Sequence, residues 1–141
     1  MNEYIKKKSF DMQSLHLSVI IFLILAVPFL IMSILEKSLI SLIIFISISV
    51  LLLLIDFFIY FCTKREIIFT KQKILIKKNK MTKEINWHEI EIKYLGIDYI
   101  ILLKCFSIEL TYYNSFLEKT ISFTIPSSRN KFLEIMNLRR N

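Results

Sequence analysis

Residues 15–61 read LHLSVIIFLILAVPFLIMSILEKSLISLIIFISISVLLLLIDFFIYF. The stretch divides at Glu36-Lys37-Ser38 into two apolar runs, Leu15 to Leu35 and Leu39 to about Phe61. Each exceeds the roughly 20 residues needed to cross the hydrocarbon core of a bilayer. A soluble helical hairpin would keep a polar face at a spacing of about 3.6 residues. Here Val19-Ile20-Ile21-Phe22-Leu23-Ile24-Leu25 and Val50-Leu51-Leu52-Leu53-Leu54-Ile55 are apolar all the way round, so two antiparallel membrane spans are the expectation. A chain of 141 residues, 55% of them hydrophobic, has room for such an anchor and one small domain. The expected layout is a cytoplasmic N-terminal segment over residues 1–14, a transmembrane helix over 15–35, an extracytoplasmic turn over 36–38, a second transmembrane helix over 39–62, and a cytoplasmic β domain over 64–141.

Positive charge near the span ends sets the expected orientation. Lys6, Lys7 and Lys8 precede the first run, Lys64 and Arg65 follow the second, and the turn between them holds one Lys and one Glu. Both termini are therefore expected in the cytoplasm, in a multi-pass protein of the cell membrane. Three lysines before an apolar run imitate a secretory signal, but the run is too long, lacks a small-x-small cleavage site, and is followed at once by a second run. Cys62 and Cys105 form no CxxC pair and no disulfide framework, which fits a reducing compartment.

Inside the runs, Pro28 lacks an N–H and is expected to kink the first helix. Ser18, Ser33, Ser41, Ser47 and Ser49 are small enough for close helix contact and able to bond a partner helix. Asp56 is the one ionisable residue well inside a run. An intramembrane carboxylate is a candidate ion ligand or proton carrier, but no second carboxylate, Lys or Arg lies at matching depth to form a pathway, which favours an Asp56 that reaches the inner interface or bonds a neighbouring serine.

From Arg65 onward the apolar residues alternate. Ile85 and Trp87, then Ile90, Ile92 and Tyr94, then Phe106, Ile108, Leu110 and Tyr112, then Ile121, Phe123 and Ile125 mark one face of successive strands. Seven strands are expected, at about 66–70, 73–78, 82–87, 90–95, 98–104, 106–113 and 119–125. Turns fall at Lys71-Gln72, Asn79-Lys80, the Gly96 region and Asn114-Ser115. As the sole glycine, Gly96 is expected at a turn or bulge that other residues fill badly. After Pro126, a serine cap and the stripe Phe132, Ile135 and Met136 predict a helix over 128–139.

In this layout the chain resembles the small bacterial membrane proteins in which two transmembrane helices precede a pleckstrin-homology-like (PH-like) domain. Its sharpest local element is Ile85-Asn86-Trp87-His88-Glu89-Ile90, similar to the I-x-W-x-x-I segment that ends the third strand there. The resemblance implies a seven-strand antiparallel β barrel or sandwich closed by a C-terminal helix. Two departures matter. The C-terminal-helix tryptophan common in eukaryotic PH domains is absent, and their phosphoinositide signature is matched only by Lys71-x-Lys73, so inositide binding is not carried over.

No catalytic, cofactor or metal set emerges. His16 and His88 have no nucleophile or acidic partner at an interpretable spacing, two isolated histidines and two isolated cysteines make no metal set, and one glycine makes no phosphate loop. An enzyme is not expected, nor a cofactor.

Charge carries more. Residues 64–141 hold fifteen Lys and Arg against eight Asp and Glu, a net of +7 equal to that of the whole chain. Lys71, Lys73, Lys77, Lys78 and Lys80 are the candidate lipid- or partner-binding residues, since a basic segment beneath a bilayer is drawn to anionic lipid by roughly 1 kcal/mol per residue. Positive-inside topology alone would also select some of them. Nucleic acid is not expected, because the patch lacks Arg and lies where the membrane competes for it. The expected function is a non-enzymatic, membrane-anchored interaction module binding a protein partner, an anionic lipid surface, or both. Immunity against a membrane-active toxin or bacteriocin, and an accessory role in a membrane transporter, are the alternatives.

Overall fold

The computed structural model describes residues 4–140. The chain divides into two compact units, one of residues 13–62 and one of residues 1–12 together with 63–141.

The helical unit is built from Met12–Leu25 (α1), Val27–Leu35 (α2) and Leu39–Thr63 (α3). The break between α1 and α2 falls where Pro28 removes a donor: Phe29 N–H turns back to the Ala26 carbonyl at 3.1 Å, a three-residue step in place of the usual four. At the far end Lys37 takes a left-handed backbone (φ 51°) and the Ser38 hydroxyl accepts the Ser41 N–H, so the short turn both ends one helix and caps the next. Met12–Leu35 and Leu39–Thr63 are each long and apolar enough to cross a membrane. Little of either is buried within the chain, and Leu35, Leu39, Ile40 and Leu53 are about 70% exposed. Ser33, Ser47 and Ser49 donate to carbonyls of their own helix, Leu30, Ile43 and Phe45, rather than to a neighbour.

Among its described residues the other unit holds seven antiparallel strands in two sheets and a C-terminal helix. Tyr4–Ser9 (β1), Arg65–Thr70 (β2), Lys73–Lys78 (β3) and Met81–Asn86 (β4) form the first sheet in that order; Ile90–Leu95 (β5), Ser107–Asn114 (β6) and Lys119–Pro126 (β7) form the second. Neither sheet is closed. The inner faces alternate as strands with one buried side require: Ile67, Phe69, Ile74, Ile76 and Ile85 meet Ile108, Leu110, Tyr112, Phe123 and Ile125, and Ile135 and Leu138 of Arg129–Arg140 (α4) complete the core.

Two expectations about the strands are corrected. Residues 98–104 form no strand. Their apolar residues run together without alternation, and the backbone instead winds through three-residue turns from Gly96 to Leu103. The seventh strand is β1, which lies before the helices, in the N-terminal segment expected to stand apart from the β domain. Its register on β2 runs from Tyr4↔Thr70 to Ser9↔Arg65, and Ile5 packs on the core. The sheet is thus completed across the helical hairpin. Gly96 does open a turn, its carbonyl accepting the Tyr99 N–H, but the position does not require glycine: its φ is −82°, and an added Cβ would meet nothing within 4 Å. The left-handed turn positions belong instead to Asn79, Leu103, Phe106 and Glu118.

Candidate functional site: the basic hairpin

Thr70 fixes one end of the β2–β3 hairpin, its hydroxyl donating to the Lys73 carbonyl at 2.6 Å and accepting the Lys73 N–H at 3.1 Å. Lys71 stands exposed in that turn. Lys73 faces outward and is paired with Glu84 of β4. Four residues along β3, about 13 Å at an extended rise, Lys77 and Lys78 lead into the turn Asn79-Lys80; all three lysines there are exposed. The five candidate lysines therefore do not form one cluster. Lys71 and Lys73 sit at one end of β3, and Lys77, Lys78 and Lys80 at the other.

The second set lies at the end of the sheet through which the chain passes to and from the helices. Lys77 pairs in register with Glu66, Glu66 with Lys8, and Ser9 with Arg65. Just beyond, the Asp11 N–H donates to the Thr63 hydroxyl at 3.1 Å, holding the two connections together. Glu66, the one acid in this corner of the sheet, is engaged by Lys6. Sequence reasoning missed Lys8 as a member of this set because β1 itself was not foreseen. Its signal was faint: Ile5 alone alternates with the outward Tyr4 and Lys6.

Between the first set and β1 the outer face of the sheet is hollowed into an open depression of about 590 Å³, lined by Tyr4, Ile68, Thr70, Lys71, Gln72, Lys73 and Leu75. Its floor is apolar and its rim carries two lysines.

Other cations are built into the fold. The Arg65 guanidinium lies 4.2 Å from the Phe123 ring centre and the Lys83 ammonium 4.6 Å from that of Tyr112. Burial lowers the Arg65 pKa below its usual value, with Tyr112 nearby opposing the shift; burial likewise raises the Tyr112 phenol, against the pull of Arg65. A guanidinium does not deprotonate in proteins, so Arg65 is a cation there. These groups join the two sheets.

Asp56 lies half-buried on α3, and its Oδ1 is inaccessible without a hydrogen-bond partner among the described residues. It is remote in sequence from the lysines and shares no unit with them. His88 is exposed in the three-residue turn after β4, and His16 is half-buried on α1. Cys62 is exposed and Cys105 half-buried, both as free thiols. Among the described residues no three His, Cys, Asp or Glu converge as a metal set would. What the site offers is positive charge on a β hairpin, suited to attracting anions. No protein-family model matches the chain, and no curated protein matches it.

Proposed function

We propose that the chain is a non-enzymatic interaction module held on the cytoplasmic face of the cell membrane by two spans. In this reading its β unit is a PH-like domain whose basic edge rests on anionic lipid and which holds a protein partner. The observation that carries the reading is the pairing of β1 with β2. It returns the chain to the same sheet after both helices and gathers Lys8, Lys77, Lys78 and Lys80 at the end where those helices begin and end. The 4 + 3 division of the strands and the packing of Ile135 and Leu138 from α4 support a PH-like assignment. Lys77, Lys78 and Lys80 then lie within reach of headgroups, each worth roughly 1 kcal/mol there.

Hydrogen exchange of the full chain in nanodiscs tests this. Amides of residues 77–83 are expected to be more protected in anionic than in zwitterionic discs. That difference should vanish at high salt, as the Debye length falls from about 10 Å at 0.1 M to about 3 Å at 1 M. Replacing Lys77, Lys78 and Lys80 by Gln should abolish it at any salt. Protection indifferent to lipid charge, salt and these three lysines would sink the lipid-binding part of the proposal.

A further inference from the structure

The connection from β5 to β6, residues 96–106, is the most apolar exposed segment of the β unit. Ile101 is 88% exposed, and Ile97, Ile100, Leu102 and Phe106 are each more than half exposed. A loop in water is ordinarily polar, because its backbone needs solvent partners. Here part of the backbone is paired within the loop: Tyr99, Ile100, Leu102 and Leu103 donate to the carbonyls of Gly96, Ile97, Tyr99 and Ile100 at 3.0–3.2 Å. Internal pairing of this kind is what a segment needs to enter an apolar medium.

The loop is also held in one shape. Leu103 and Phe106 both adopt left-handed backbone, φ 55° and 56°, a conformation costly for bulky side chains. It is braced by Ser107, whose buried hydroxyl donates to the Lys104 carbonyl, and by Ser127, whose N–H donates to the Phe106 carbonyl at 3.2 Å. Around its base lie Tyr99, with the Lys93 ammonium 4.9 Å from its ring centre, and Lys104, paired with Glu109. Aromatic and cationic residues below an apolar tip match the layering of a membrane interface.

Position decides what covers it. The register Leu95↔Ser107↔Pro126 sets the loop's base at the Pro126 end of β7. Two residues back, the Thr124 carbonyl accepts the Ser9 hydroxyl at 2.7 Å, and Ser9 is the last residue of β1 before the helices. The apolar loop thus emerges beside the point where the chain passes to its candidate spans.

We infer that Ile97, Ile100, Ile101 and Leu102, with Phe106, dip into the lipid interface of the membrane that the helices cross, giving the β unit an apolar foothold besides its lysines, while the exposed Asp98 stays on the headgroup side with Tyr99. This rests on the reading of the helices as spans, and the test separates the two. With Cys62 and Cys105 replaced by Ser, single cysteines are introduced in the full chain by Ile101→Cys, Phe116→Cys and Leu53→Cys. Each is labelled with an environment-sensitive fluorophore and reconstituted in bilayer nanodiscs. Phe116 is 93% exposed at the β6–β7 turn, the opposite end of the sheet from the loop.

The Ile101 label is expected to be quenched by lipid-borne nitroxides and shielded from aqueous iodide, like the Leu53 label; the Phe116 label should behave oppositely. An Ile101 label open to iodide and untouched by lipid nitroxides, with Leu53 still quenched from lipid, overturns the inference and leaves the spans standing. Shielding of Ile101 from both quenchers assigns the loop to a protein contact, such as a second copy of the chain, and also overturns it. Failure of the lipid nitroxides to quench Leu53 removes the spans and the inference together.

Discussion

At Trp87 one side chain ties the turn between β4 and β5 to the end of β2. Its ring stacks on Phe69 of β2 with centres 6.0 Å apart, its indole N–H donates to the Thr70 carbonyl at 2.9 Å, and its backbone opens the turn into β5. That turn is capped from both sides by Asn86 and Glu89, so the indole is held by the backbone beneath it as well as by its neighbours. Only 8% of the residue is exposed, and truncation leaves a cavity that a small domain cannot refill. Trp87→Ala is expected to cost on the order of 3–5 kcal/mol, and Trp87→Phe about 1–2 kcal/mol, mostly from the unpaired Thr70 carbonyl. Pulse proteolysis of the β unit in mild detergent measures both without needing the lost fluorophore. A Trp87→Ala chain as resistant as the native one would place the tryptophan outside the core's energetics.

Among the elements, β1 has the greatest consequence. It contributes Ile5 to the core and Ser9, fully paired and buried, to the junction with β7. Ile5→Ser together with Ser9→Ala keeps every lysine and so leaves the topology signal untouched. The pair is expected to destabilise the β unit by about 2–3 kcal/mol, from lost apolar burial and a lost buried hydrogen bond. Denaturant titration read by the fluorescence of Trp87, the chain's one tryptophan, reports on this unit alone; an unchanged midpoint would mean that β1 is a tail laid on the surface. The same strand marks where sequence reading stopped. β5 to β7 were legible because Ile90 and Ile92, Ile108, Leu110 and Tyr112, or Ile121, Phe123 and Ile125 alternate against polar neighbours, whereas β2 and β3, with apolar Ile68 and Leu75 on their outer face, were legible from the turn residues that bound them. In β1 three consecutive lysines occupy both faces, since an edge strand near a sheet corner can keep an inward-phased Lys7 half-exposed, and the pattern dissolves. The run Tyr99-Ile100-Ile101-Leu102-Leu103 fails in the other direction: it has strand composition but no polar face, and it forms turns. For the lysines, charge was legible and geometry was not, because which of them gather depends on register across strands more than 50 residues apart.

For the whole molecule, the β1–β2 ladder constrains topology. Residues 4–9 and 65–70 pair strand to strand, so both must lie on one side of any membrane the intervening helices cross. Two helices long enough to span, joined by Glu36-Lys37-Ser38, satisfy that requirement; one span, or three, would not. Charge gives the expectation for which side it is: the paired strands and the hairpin beside them carry Lys6, Lys7, Lys8, Arg65, Lys77 and Lys78, whereas the turn at 36–38 is neutral, and the positive-inside rule favours the cytoplasm for the cationic segments. The prediction is that Ser38→Cys, in a chain with Cys62 and Cys105 replaced by Ser, reacts with a membrane-impermeant maleimide in intact cells. Ser14→Cys and Asn130→Cys should react only after the cells are opened. Labelling of Asn130→Cys but not Ser38→Cys in intact cells would reverse the orientation while keeping the hairpin. Opposite behaviour of the positions 14 and 130 would be the more damaging result, because two strands on different sides of a bilayer cannot share a sheet, and the pairing of β1 with β2 would fall with it.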